Sequence, residues 1–376
     1  MELTDLLSAF ASAFDQHQRL ITLDIGDSHQ WDGRLLPQTV DGAEAVSACY
    51  RYTVDCLSPD ATLELAPLLG QSARLAIRDQ NGQDVVRAGV ITQAQRLGAD
   101  GGFSRYRLTI EPPLALLTHR VTSRVFQDLS VPDIVKQVLA EHQRDNPVFA
   151  RLQTLTFSLS GQHPLRSYTV QYRESDLTFL SRLMHEEGLA WRFEHHDTSP
   201  PQVQLTVFDD PYSLPQASQQ RVRFHRADAT ETEDGITDWQ ARRSLGSSQV
   251  SIASYDYQAS ATGQGQDASH RDSNPAERTL EHYEPQTLYY AGDSDGLTRY
   301  AQLRQQQFDA AAQGFQGSGT PRGLLAGQWF RLDDHPLHDS PFPRDAALPR
   351  SVTEQREFVV TQQTFQAQNN LPDSLQ

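Results

Sequence analysis

The chain has 376 residues and a net charge of −16, with 38% hydrophobic and 21% charged residues. This composition is typical of a folded protein, and the length accommodates two or three domains. The negative charge argues against binding to nucleic acid or to an anionic membrane surface, which requires a basic footprint. No apolar run approaches the roughly 18 residues that span a bilayer.

The first segment predicts a helix rather than an export signal. Glu2 and Asp5 stand where a signal peptide carries positive charge. Five apolar residues follow helical spacing: Leu3, Leu6, Leu7, Phe10 and Phe14. We therefore expect the protein to be made and folded in the cytoplasm, and to use no ordinary signal sequence if it leaves the cell.

Strands joined by tight turns are predicted up to about residue 111. Tyr50, Tyr52 and Val54 alternate onto one strand face. Asn-Gly at 81–82 and Asp-Gly-Gly at 100–102 are turn sequences that tolerate positive φ. Long antiparallel strands with such turns indicate a barrel or a strongly curved sheet.

No disulfide is expected. Cys49 and Cys56 are the only cysteines, and they lie seven residues apart on one predicted strand. Their side chains therefore point to opposite faces and cannot bridge.

Further along, apolar stripes predict helices over 131–142, 175–187 and 293–313. Ser130 and Ser175 stand at N-cap positions, and Gly188 stands where a helix-ending residue belongs. Additional strands are predicted near four ranges: 153–159, 166–172, 324–332 and 356–366. The Gly- and Ser-rich stretch 258–275 predicts an exposed loop.

The stretch 171–197 concentrates side chains that could form a catalytic or metal site. His185-Glu186 begins like the zinc motif His-Glu-x-x-His, but position 189 is leucine. Glu186 and Glu187 are helix neighbours, which project about 100° apart and do not face one site. We predict a solvated helix edge for both glutamates.

The other histidines fit a metal site no better. His195 and His196 are neighbours on a strand and face opposite sides. His335 and His338 have aspartates nearby, at 333, 334 and 339, but Pro336 interrupts them and their spacing fits no standard zinc pair. A polar surface loop is the prediction here.

The glycines provide no phosphate-binding loop, and no serine lies in a Gly-x-Ser-x-Gly elbow. We therefore predict no catalytic residue, no cofactor and no metal.

Long segments of the chain resemble a known family. "SRVFQDLSVPDIVKQVLAEH" and "YTVQYRESDLTFLSRLMHEEGLAWRFEH" resemble the hub region of the valine-glycine-repeat (VgrG) spike proteins of type VI secretion, which is similar to the hub of contractile phage tails. "GLTRYAQLRQQQFDAAAQGFQGSGTPRGLLAGQWFRLDDHP" and the final "EFVVTQQTFQAQNN" match the family in the same order. Full-length members continue into a small barrel and a β-helical needle, which are not part of this sequence.

The resemblance implies an α+β fold, predominantly antiparallel β, with two barrel-like tube modules and a few packed helices. We expect approximate module boundaries, with interleaving between modules allowed. These are a β-rich barrel module over 1–120, an α+β module over 121–230 with helices 131–142 and 175–187, and a second barrel module over 231–376 with helix 293–313.

The resemblance also implies a mechanical function. Three protomers with two barrel modules each present six, so a homotrimeric hub adapts a three-fold spike to a six-fold tube. The implied partners are further copies of the chain, a hexameric tube protein, baseplate components, and effectors or their adaptors, with delivery out of the cell. Two alternatives stay open: a hub of a phage or extracellular contractile particle, and a tail-associated cell-wall hydrolase.

Overall fold

The computed structural model describes residues 16, 18–27, 29–100, 103–225, 233–257, 259–271, 280–286, 290–291, 293–335 and 356–372. The predicted N-terminal helix lies outside these residues. In the described ranges the α-helices are α1 (Val131–Asp145), α2 (Pro147–Leu152), α3 (Asp176–Glu186) and α4 (Ser294–Ala312). The strands, in chain order, are β1 (Ile21–Ile25), β2 (Leu36–Ala45), β3 (Arg51–Ser58), β4 (Ser72–Arg78), β5 (Asp84–Asp100), β6 (Phe103–Glu111), β7 (Val121–Phe126), β8 (Gln153–Ser158), β9 (Thr169–Ser175), β10 (Ala190–His196), β11 (Gln202–Phe208), β12 (Gln216–Phe224), β13 (Gly235–Arg243), β14 (Gln249–Asp256), β15 (Ala261–Ala268), β16 (Glu281–Pro285), β17 (Gln313–Gly319), β18 (Trp329–Asp333), β19 (Glu357–Val359) and β20 (Gln362–Gln368).

The largest sheet has seven antiparallel strands in the order β1-β4-β5-β6-β3-β2-β20. The predicted hairpin joins β4 to β5, and Gly82 in its turn has φ of 78°. Tyr52 and Val54 point into the core as expected and have no exposed surface. The 17-residue strand β5 carries two register shifts against β6, and such bulges bend a strand. The predicted strongly curved antiparallel sheet is confirmed.

Asn369, directly after β20, connects the two edges of this sheet. Its Nδ2 donates to the carbonyl oxygens of Ile21 (2.9 Å) and Pro37 (2.8 Å), and its Oδ1 accepts from the Ile21 amide (3.1 Å). Because edge strands β1 and β20 are thereby linked, the sheet curls toward a closed barrel. The C-terminal strand therefore completes a body built from the N-terminal residues.

The helices α1, α2 and α3 share one hydrophobic core with the seven-stranded sheet and with the smaller sheet β10-β11-β8. The predicted N-caps are confirmed, since Ser130 accepts from the Asp133 amide and Ser175 from the Thr178 amide. Helix α1 continues to Asp145, three residues beyond its predicted end. Both cysteines are free, as expected.

The C-terminal half contains two further sheets. One has the order β17-β13-β12-β18-β19, and the other, β15-β14-β16, packs on α4. The predicted loop over 258–275 is wrong in part, because Ala261–Ala268 forms β15. A Cβ at Gly265 would lie 2.3 Å from backbone atoms of Leu297 in α4. Glycine is therefore required by close helix packing here, and not by a turn.

Candidate functional site

The five-stranded sheet is curved, and aromatic rings fill its concave side. Phe315 of β17 and Phe358 of β19 belong to opposite edge strands, yet their ring centroids lie 4.9 Å apart. Trp239 stacks on Phe315 at 5.7 Å and meets Phe358 at 4.8 Å. The chain thus contains two barrel-like sheets, one linked across its edges by Asn369 and one by aromatic contact.

The two curved sheets contact each other directly. Gln80, in the turn between β4 and β5, accepts through Oε1 from the Asp234 amide at 2.6 Å. Arg322 donates to the carbonyl oxygen of Arg78 at 3.0 Å and pairs with the Asp234 carboxylate at 3.1 Å. A directional hydrogen-bond network therefore fixes one sheet against the other.

A buried carboxylate, Glu44, joins three distant parts of the chain. Its Oε1 accepts from Arg87 Nε (3.0 Å) and the Tyr52 hydroxyl (2.9 Å), and its Oε2 accepts from Gln363 Nε2 (2.7 Å) and the Ala326 amide (3.2 Å). Burial favours the neutral acid, but Arg87 and the other donors outweigh it and hold the pKa of Glu44 below its usual value. Glu44 is therefore a charged joint between the first sheet and the segment around Ala326.

His195 lies next to this joint and acts as a hydrogen-bond acceptor. Its Nδ1 accepts from the Ala88 amide at 3.0 Å, which connects β10 to β5. Burial lowers its pKa to about 4, so the imidazole is neutral at physiological pH. His196 instead contacts Gln204. The two histidines have different partners and do not converge.

A second buried carboxylate, Asp176, begins α3. It receives hydrogen bonds from His142 Nε2 (2.7 Å), Arg120 Nε (2.5 Å), Arg124 Nη2 (3.0 Å) and Gln171 Nε2 (2.8 Å). Burial opposes ionisation, yet these donors prevail and hold the pKa of Asp176 at about 2. The local sequence pattern around Asp176 does not predict this cluster, because three of its members lie 34, 52 and 56 residues away from Asp176.

Glu187 corrects a prediction. We expected it on a solvated helix edge, but its side chain has no exposed surface. It pairs with Arg166 (2.9 Å) and Arg299 (2.8 Å), and it accepts from the Tyr300 hydroxyl at 3.2 Å. Helix α4 covers the end of α3, and the α3 stripe alone cannot reveal a helix that follows more than a hundred residues later.

Glu186 and His185 remain partly accessible beside this junction. Glu186 pairs with Arg166 (2.8 Å) and Arg182 (3.3 Å), and its side chain is 24% exposed. His185 Nε2 lies 3.0 Å from the Gln307 amide nitrogen. Glu186 and Glu187 therefore share Arg166, whereas His185 contacts Gln307 and takes no part in that ion-pair cluster.

The second candidate metal cluster is also divided among separate contacts. Asp333 pairs with Arg221 (2.6 Å) and Arg331 (2.9 Å), and Asp334 pairs with Arg223 (2.8 Å). The predicted polar surface loop is wrong for the described residues here, because Asp333 ends β18 and His335 is buried against the Phe224 ring. The residues at 338 and 339 lie outside the described part of the chain.

Within the described residues, no group of three or more His, Cys, Asp or Glu side chains is placed to hold a metal ion. In the same part of the chain, none of the helices is both long and apolar enough to cross a membrane.

Comparison with known proteins matches this architecture. Residues 43–371 match the family described as phage tail baseplate hub (GPD). The type VI secretion spike proteins VgrG1b and VgrG1c of Pseudomonas aeruginosa are 28% and 27% identical over 80% and 89% of this chain. The chain spans 39% and 44% of those relatives, less than half of their length.

Solved structures show the same fold. A type VI secretion component from E. coli, described as similar to phage T4 tail proteins, superposes with a TM-score of 0.64 at 20% identity, covering 92% of this chain and 73% of that one. The 43 kDa tail protein of prophage MuSo2 from Shewanella oneidensis gives 0.58 at 12% identity, covering 92% and 94%. The chain belongs to the phage tail baseplate hub family, and it is similar to the hub part of the VgrG spike proteins of type VI secretion.

Proposed function

We propose that this hub acts as a homotrimer that adapts a three-fold spike to a six-fold tube and is delivered with effectors. The observation that supports this best is the presence of two barrel-like sheets in one chain, fixed to each other through Gln80, Arg322 and Asp234. Three such chains present six modules, which is the number of subunits in a hexameric ring. A closed trimer requires a head-to-tail interface that rotates each copy by one third of a turn, so that the third copy contacts the first.

Rigid joints suit this function. A hub at the front of a contractile tail must transmit force without change of shape, and the joints at Glu44, Asp176 and Glu187 are buried, charged and directional. We also propose module boundaries near residues 120 and 230, with the C-terminal strand β20 belonging to the first module.

The partners follow from this assignment. The hub contacts further copies of itself, a hexameric tube protein, baseplate components, and effectors or their adaptors. It assembles in the cytoplasm and then leaves with the spike. The 27–28% identity to secretion spike proteins favours this origin over a phage or extracellular particle.

We further propose that the hub has no catalytic activity of its own. Glu186 and Glu187, the two neighbouring carboxylates that could be considered as an acid/base pair, are both paired with Arg166 instead. Release of peptidoglycan fragments that is abolished by Glu186→Gln would overturn this part of the proposal.

Light scattering and tube binding test the assembly. Three chains of net charge −16 bring together about −48, and salt screens this repulsion beyond roughly 8 Å. We expect the mass to approach three chains as concentration and salt rise, and we expect the trimer to bind a hexameric ring of the cognate tube protein. A chain that stays monomeric at high concentration and does not bind the ring would refute the proposal.

A further inference from the structure

An apolar surface lies on the outer side of the two-stranded ribbon β7–β9. We call it the ribbon face, and its residues are between 40% and 66% exposed: Val121, Val125, Tyr168, Val170 and Tyr172. The two tyrosines alone leave on the order of 200–300 Å² exposed, if each can bury 150–250 Å². The whole face is therefore comparable to the largest apolar patch of an ordinary monomer, which is often functional.

The inner side of the same ribbon is fixed by the Asp176 cluster. Gln171 of β9 and Arg124 of β7 both donate to the Asp176 carboxylate, which is fully buried. An isolated pair of strands is marginal in water, so this network holds the ribbon in place from below. The ribbon face is thus a preorganised surface, which lowers the entropy lost when a partner binds.

A bulge directs one tyrosine of this face outward. Tyr172 and Arg173 together oppose Ser123, and Arg173 has φ of 51°. A non-glycine residue in this region costs about 1 kcal/mol or more, and such strain is concentrated at functional positions. The Arg173 amide donates to Ser123 Oγ at 3.1 Å, and its guanidinium lies 5.5 Å from the Tyr172 ring centroid.

The charge of the ribbon face differs from that of the chain. None of its residues is acidic, although the chain carries a net charge of −16. Arg173 is exposed beside it and forms no ion pair with another described residue. An acidic molecule therefore meets no carboxylate among the residues of this face, and another copy of the chain is such a molecule.

The chain also carries a surface that complements the ribbon face. Tyr255 of β14 and Tyr283 of β16 share the outer side of their sheet and are 44% and 59% exposed. Glu281 lies on the same side, where its Oε1 accepts from Ser251 Oγ at 2.6 Å. We call this the sheet face. It offers aromatic rings and a carboxylate, which match the apolar residues and the arginine of the ribbon face.

We propose that the ribbon face of one copy binds the sheet face of the next copy in the hub. This inference rests on the proposed homotrimer. Two different faces on each chain give the head-to-tail contact that a three-fold ring requires, whereas a face that binds itself would stop at a dimer.

Two outward-facing substitutions test the contact without disturbing the core. Tyr172→Asp disrupts the ribbon face and Tyr283→Asp disrupts the sheet face. Tyr212→Asp is the matched control, because Tyr212 is 96% exposed and belongs to neither face. We expect each interface variant to weaken trimer formation at least about thirtyfold, the effect of losing one aromatic hot spot, and the control to trimerise normally. Thermal melts should be unchanged in all three when they are recorded at a dilution where the wild type is also monomeric, because loss of the trimer itself lowers the melting temperature.

Mixing the two interface variants gives the decisive result. The intact ribbon face of the Tyr283→Asp chain can bind the intact sheet face of the Tyr172→Asp chain, but neither remaining face can bind. We therefore expect a one-to-one heterodimer that does not grow to a trimer.

Three results would overturn the proposal. If either interface variant trimerises like the wild type, the contact is wrong and the proposed trimer stands. If Tyr172→Asp trimerises but no longer binds the tube ring, the ribbon face serves the tube protein instead. A wild-type chain that is monomeric at every concentration refutes both the trimer and this interface.

Discussion

Replacement of Glu187 by alanine tests how the C-terminal half is fixed to the rest of the protein. The carboxylate is fully buried and neutralises two guanidinium groups, Arg166 from the segment before β9 and Arg299 from α4. It also accepts a hydrogen bond from the Tyr300 hydroxyl. Glu187→Ala removes these contacts, together with the 3.5 Å approach of His163 Nδ1, and leaves both guanidinium charges close together.

The size of the expected stability loss depends on how exposed Arg166 and Arg299 are once the carboxylate is removed. Breaking a buried ion pair by removal of one partner costs about 3–5 kcal/mol. The side chains of Arg166 and Arg299 are 15% and 31% exposed, so water can partly solvate them once the carboxylate is gone. We therefore expect the low end of this range, a loss of about 3 kcal/mol in the free energy of unfolding.

Urea denaturation followed by tryptophan fluorescence measures this loss. Glu186→Ala is the matched control, because its neighbouring carboxylate is partly exposed and should contribute within about 1 kcal/mol. Glu187→Gln keeps the volume and one acceptor, so its loss should lie between those of the two alanine variants. If Glu187→Ala is as mild as Glu186→Ala, the α3–α4 junction does not depend on this carboxylate.

Four further substitutions have definite expected outcomes. Asp176→Asn should cost about 2.5 kcal/mol at neutral pH. The wild type should lose the same amount between about pH 4 and pH 2, because the folded pKa of about 2 lies below the usual 3.8, so acid titrations of the two proteins should converge near pH 2. His195→Gln should remove an acid-sensitive step of as much as about 3 kcal/mol between pH 6.5 and pH 4, where the unfolded imidazole binds a proton before the folded one does. Asn369→Ala should cost about 2–3 kcal/mol and speed hydrogen exchange at the Ile21 amide, whereas Asn370→Ala should cost 1 kcal/mol or less. Leu180→Asp should prevent folding, seen as insoluble expression, because the side chain is buried in the main core.

Local patterns predicted the features that local physics controls. Serine caps at Ser130 and Ser175 begin helices, and the Asn-Gly turn at 81–82 joins two strands, because each depends on residues within one turn of the chain. The family resemblance then supplied the architecture, including the closing strand. Its position as the seventh strand of the first sheet could not be derived from the strand itself, which pairs with β2 more than three hundred residues earlier.

The failures share a cause. The sequence predicts a solvated Glu187 and a loop over 261–268, but α4 buries Glu187, and pairing with β14 under α4 makes 261–268 a strand. A polar residue at the end of an apolar helix stripe usually indicates solvent exposure, and a glycine in a polar stretch usually indicates a loop. Both interpretations fail when an element from a distant part of the chain covers the residue. The charged joints were missed for the same reason, since each carboxylate meets partners from several remote segments.

The joints share a chemistry that matters for a structural hub. Each of Glu44, Asp176 and Glu187 is almost completely buried, and each is held by at least one arginine and one neutral donor. An apolar contact of equal area could slide by an ångström at little cost, because the hydrophobic effect has no direction. A buried carboxylate between fixed donors cannot, because a shift that breaks one hydrogen bond leaves an uncompensated charge in a poorly solvated site. These joints therefore resist displacement more strongly than their net contribution to stability suggests, and this is the property that a part under load requires.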